Sequence, residues 1–203
     1  MFVAAFLVLG CIPPRPSPSP APTEPPATAP PSPTTPATEG PSSSAATGAN
    51  GVAVDGRLLD VLPSDIAGVP VQPDLETAAD IAREGSIAPF VSALALATVF
   101  GPPATDGQPD YVVVTVAKLR PGTFSDTFFR GWRDTFDAAV CQQAGGVTGN
   151  AESDIGGRHT YIGTCSGGVH TYHVHLGTRD LIVSMQGAGP GGWPERVVQG
   201  LTE

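Results

Sequence analysis

After Asn50, hydrophobic and polar positions fall into short periodic blocks. From Asp74 to Glu84 the apolar residues Leu75, Ala78, Ala79, Ile81 and Ala82 recur at helical spacing, and Gly85 follows where a left-handed residue ends a helix. Ser86 to Phe100 carries no charge; with Ser86 as a cap and Pro89 in a first turn, it predicts a buried helix over about 87–97. Tyr111 to Leu119, β-branched and almost continuously apolar, predicts a strand partly buried on both faces. Ser125 caps a predicted helix over 126–140, whose residues Phe128, Phe129, Trp132, Phe136, Ala139 and Val140 read as core packing rather than as a ligand box. A glycine-rich loop then leads to three predicted strands, 158–165, 169–176 and 181–186. Ser166-Gly167-Gly168 and Gly177 to Asp180 are the expected hairpin turns, with glycine supplying positive φ. Proline opens a last helix over 194–201. The expected fold is α+β: an antiparallel sheet with a C-terminal meander, packed against helices on one face.

The remainder of the chain is different in kind. Thirteen of its 23 prolines lie in 12–49, with a dozen Ser and Thr and three charged residues. Such a stretch cannot bury enough apolar surface to offset its ordering entropy, which predicts a disordered, extended stalk over 12–50 ahead of a globular domain over 51–203. That domain holds nine basic and seventeen acidic residues, a net −8, which argues against nucleic acid as a partner because phosphate contacts need a basic face.

Residues 1–9 form an apolar run, and Val8, Leu9, Gly10 and Cys11 resemble the lipobox of a bacterial lipoprotein signal peptide, whose cysteine takes lipid. The run is shorter than the roughly 20 residues of a membrane-spanning helix. The expectation is therefore a segment over 1–11 that makes Cys11 the lipidation site and places the protein at the outer face of a bacterial cell membrane. Of three cysteines, Cys141 and Cys165 then remain as a disulfide pair, which suits an oxidising compartment.

Leu62-Pro63-Ser64-Asp65-Ile66-Ala67-Gly68-Val69, then Gly156-Gly157-Arg158-His159-Thr160-Tyr161 and the closing meander and helix, resemble uncharacterised bacterial cell-envelope lipoproteins with a small α+β domain. A PsbP-like or LpqN-like sheet-and-helix domain is the related analogy. The resemblance implies a fold and brings no catalytic residues.

Candidate chemistry is sparse. Gly187 to Gly192 spells G-x-G-x-x-G, but no βαβ unit follows and Pro190 removes an amide donor, so a loop is expected. His173 and His175 share a strand face and His159 lies on the neighbouring strand, a set that could hold Zn²⁺ or Cu²⁺. Ser153, Asp154 and His159 are too close in sequence for a hydrolase triad, and no nucleophile elbow occurs. Of the carboxylates Asp134, Asp137, Glu152 and Asp154, the first two are expected on the solvated side of their helix. The function expected is a non-catalytic binding or structural module that contacts an extracytoplasmic protein, glycan or small ligand and has no cofactor. An envelope metal-binding protein and a hydrolase of envelope polymers are the alternatives.

Overall fold

The computed structural model describes the backbone of 46–47 and residues 50–102 and 110–203. The expected signal segment, Cys11 and most of the stalk lie outside the described residues. In chain order the elements are β1 (Ala46–Thr47), β2 (Ala53–Val54), a 3₁₀ turn (Gly56–Val61), β3 (Asp65–Ile66), β4 (Val69–Pro70), β5 (Gln72–Pro73), α1 (Leu75–Glu84), β6 (Val91–Phe100) and β7 (Tyr111–Leu119). There follow α2 (Asp126–Gln143), β8 (Val147–Ile155), β9 (Arg158–Cys165), β10 (His170–Leu176), β11 (Leu181–Ala188) and α3 (Trp193–Gly200). The fold is α+β. One sheet runs in the order β1-β2-β6-β7-β11-β10-β9-β8, with β5 also on β6, and all its pairings are antiparallel except β2 with β6.

Local signals account for several boundaries. The Asp74 carboxylate accepts the Thr77 N–H at 3.0 Å, and Gly85, at φ 74°, closes α1. Ser125 accepts the Phe128 N–H at 3.1 Å and starts α2.

Four expectations need correction. The predicted helix over 87–97 is instead a turn followed by β6, with β7 on one edge and β2 and β5 on the other. An uncharged run suits a buried helix or a doubly buried strand equally, and here neighbouring strands satisfy its backbone groups. The glycine-rich loop contains a further strand, β8, joined to β9 by Gly156 and Gly157, both at positive φ as a type I′ turn requires. β8 is a polar edge strand, largely exposed, so no alternating pattern marks it. In the turn after β10, Asp180 rather than Gly177 adopts positive φ (48°).

The helices also cover both faces of the sheet rather than one. On one face Val112, Val114, Val116, Val183 and Met185 pack with Val61, Ile66, Trp193, Val197 and Val198, from the 3₁₀ turn, β3 and α3. On the other, Leu94, Leu96, Ala117 and Ile182 pack with Ala78 and Ala82 of α1 and Phe129 of α2. Near-continuous apolar strands such as β7 present residues to both sides, so each face must be covered. The glycines before α3 serve this packing. A Cβ on Gly191 would stand 2.1 Å from Trp193 Nε1, and one on Gly187 2.6 Å from the Tyr111 carbonyl oxygen. The G-x-G-x-x-G stretch is the end of β11 and a loop that seats a helix.

Cys141 and Cys165 form a disulfide with Cα atoms 5.1 Å apart, tying the C-terminal end of α2 to the end of β9. Both are buried.

Candidate functional site

α1 rests on β2 and β6 through its small alanines, while α2 packs over β8 to β11. Between them, above β6 and β7, a cleft of about 590 Å³ remains. Leu94, Thr115 and Ala117 form its floor; Phe128, Trp132 and Phe136 form the α2 wall, and Ile81, Ile87 and Phe90 the opposite one. Among the described residues no charged side chain lines it, and the polar groups at its surface are the hydroxyls of Ser86, Thr115, Thr127 and Thr135 and the Trp132 indole. The aromatic stripe expected as core is thus core in part: Phe129 is buried, whereas Phe128, Trp132 and Phe136 are half-exposed to the cleft. An amphipathic helix marks which residues turn inward, and the gap they face depends on where a second helix lands.

Behind the α2 wall lies a buried polar chain. The Trp132 Nε1–H donates to Ser184 Oγ at 2.9 Å. Ser184 Oγ is 3.0 Å from His173 Nδ1, and His173 Nε2 is 2.8 Å from Asp137 Oδ1, which also accepts from the Thr171 hydroxyl at 2.5 Å. An indole nitrogen only donates, so the Ser184 proton is free to go to Nδ1 and the ring proton sits on Nε2, facing the carboxylate. Burial pushes the Asp137 carboxyl upward, but the hydrogen bonds from His173 and Thr171, helped by the nearby Arg133 charge, outweigh it and hold the group below its ordinary range.

Asp137, expected on the solvated side of its helix, is 6 % exposed. The sequence held a signal for this, because 137 lies eight residues after Phe129 and four before Cys141, on the same buried stripe.

Asp137, His173 and Ser184 come from three elements, and the three-residue order resembles a hydrolase relay. Ser184 nevertheless has no exposed surface, and its oxygen already accepts the indole proton. A substrate carbonyl has no approach to it, so in this arrangement these three residues fix side chains and Ser184 is not placed to act as a nucleophile.

The three histidines of the predicted metal set divide between two places. His173 spends both ring nitrogens in the chain just described. His159 is exposed on β9, 3.5 Å from Glu152, with its ring edge-on to Tyr161. His175 stacks on Phe124 with centroids 3.5 Å apart, and burial lowers its pKa against the opposing pull of Asp180. His159 and His175 line one hollow of about 340 Å³, from which His173 is absent. Among the described residues no three His, Cys, Asp or Glu side chains gather into a metal-holding group. Ser153 and Asp154 lie on the exposed edge strand, where Asp154 accepts the Gly157 N–H of the hairpin turn at 3.0 Å. Glu152 and Asp134 border a polar hollow of about 250 Å³ on the far side of α2, together with Arg133, which stacks over Tyr161 at 4.1 Å.

Compared with known protein families, curated proteins and solved structures, the chain matches no family model, no curated protein and no solved structure.

Proposed function

We propose that this protein is a lipid-anchored extracytoplasmic lipoprotein of a bacterial envelope. Its α+β domain acts as a non-catalytic binding module, and the cleft between α1 and α2 takes a small apolar ligand. The observation that carries the reading is the cleft of about 590 Å³, which no charged side chain lines among the described residues and which falls within the roughly 300–1,000 Å³ range of small-molecule sites. Half-exposed aromatics along one wall leave apolar surface in water, which a ligand removes on binding. Kinship with the envelope lipoproteins that the sequence resembles belongs to the same proposal.

The anchor reading is supported by cysteine use. Cys141 and Cys165 are paired, leaving Cys11 directly after Val8, Leu9 and Gly10. Cys11→Ala is expected to move the protein from the membrane fraction to the soluble extracytoplasmic fraction; retention in the membrane would refute the anchor.

Gly131 tests the cleft. It lies on α2 at the cleft, and no atom stands within 4 Å of a Cβ built there. Gly131→Leu is expected to stabilise the helix by about 0.5–1 kcal/mol while filling the space. Binding of the neutral fluorophore N-phenyl-1-naphthylamine should then fall by about tenfold, corresponding to ~1.4 kcal/mol, as unfolding in urea shifts to higher concentration. Unchanged probe binding in this more stable variant would place the site elsewhere.

A further inference from the structure

We infer that Ser184, His173 and Asp137 are positioning residues that hold the aromatic wall of the cleft in place and so set which ligands it admits. The inference rests on the proposed reading of the cleft as a binding site.

Two of the three aromatic groups of the wall are seated on this chain. Trp132 is held through its indole N–H by Ser184, and Phe136 meets the His173 ring edge-on with centroids 5.2 Å apart. Ser184, His173 and Thr171 have no exposed surface, so water cannot replace a missing partner. The chain also has a fixed direction. The indole donates to the hydroxyl, the hydroxyl to Nδ1, and Nε2–H to the carboxylate, so that every contact pairs a donor with an acceptor.

A fully apolar contact would have served packing at least as well, since buried charged groups seldom stabilise more than hydrophobic ones of like volume. What hydrogen bonds add is orientation. Trp132 and Asp137, five residues apart on α2, are tied to two different strands, β11 and β10. These ties fix the rotation of the helix above the sheet and the tilt of the indole across the cleft. A wall fixed in this way discriminates by ligand shape, whereas one held by packing alone could yield.

The test separates wall position from stability. In ¹⁵N-labelled protein the two tryptophans give two indole N–H signals, and the Trp132 signal is the one lost in Trp132→Phe. Ser184→Ala is expected to raise hydrogen exchange at the Trp132 indole by about tenfold or more, with the Trp193 indole unchanged. Asp137→Asn keeps an acceptor oxygen for Nε2–H and should preserve most of that protection, whereas Asp137→Ala should not. Binding of N-phenyl-1-naphthylamine relative to the smaller naphthalene should shift toward parity in Ser184→Ala and stay as in wild type in Asp137→Asn. Unchanged indole exchange in Ser184→Ala overturns the positioning role, as does an unchanged probe ratio in a protein that binds both probes. If the wild-type protein binds neither probe, the cleft reading and the selectivity that rests on it are overturned, while indole exchange still decides whether Ser184 holds Trp132.

Discussion

His173→Leu is expected to destabilise the domain by about 3–5 kcal/mol, because it leaves the buried Asp137 carboxylate without its imidazole partner. The substitution leaves Asp137 facing Leu instead of an N–H donor at 2.8 Å, and Ser184 without its imidazole partner at 3.0 Å. Thr171 still donates to the carboxylate, which keeps the loss from being larger. The effect should depend on pH with a definite sign. In the wild type the Asp137 pKa is lowered, so its contribution is fully present above the ordinary value of 3.8 and is lost as pH falls through the lower folded value. In His173→Leu the leading opposing contact is gone and burial raises the pKa. That carboxyl then costs stability progressively as pH rises through the unfolded value. The gap between the two proteins should therefore be widest near neutrality and should narrow below about pH 4. Replacing both partners, His173→Leu with Asp137→Leu, removes the orphaned charge and is expected to recover a large part of the loss. Urea unfolding at several pH values checks all three statements. A single variant equally destabilised at pH 3 and pH 7 would refute the charge argument.

Reduction of the Cys141–Cys165 bond should give the second large effect. The bond closes a loop with a sequence separation of 24, for which the chain-entropy model gives about 3 kcal/mol. For a domain of this size that corresponds to a fall in melting temperature on the order of 10 °C. Cys141→Ala with Cys165→Ala is the better comparison, since alanine adds no polar group to a buried site. Thermal unfolding with and without reductant measures the effect, and reductant should leave the double variant unchanged. The bond also holds the end of α2 that carries Ala139, a cleft-lining residue, so probe binding should weaken in the reduced protein before it unfolds. A melting temperature indifferent to reductant would refute the stabilising role.

These two features differ in how far the sequence revealed them. The cysteine pair followed from counting. Helices α1 and α2 followed from local chemistry, because Asp74, Gly85 and Ser125 act within one turn of the boundaries they set. β6 did not, since its alanines and leucines favour a helix and only pairing with distant strands decides against one. β8 was hidden because an exposed edge strand needs no buried face and so leaves no hydrophobic alternation. Asp137 lay on the buried stripe of its own helix, but its charge argued for solvent, and its compensating partners are 34 and 36 positions away. The cleft itself is a space between elements, which a one-dimensional pattern does not encode.

The outer edge of β8 has a bearing on how copies would share a surface. Along this nine-residue strand the backbone groups that face away from β9 lack a neighbouring strand among the described residues, and such rims invite pairing with another chain. Glu152 and Asp154 stand on this strand. Bringing two such rims together sets like charges against each other, which is a recognised safeguard against edge-to-edge adhesion. Under the proposed anchoring, which would confine copies to two dimensions and raise their encounter rate, this acidic border is expected to act as a spacer that keeps neighbours from joining into a continuous sheet.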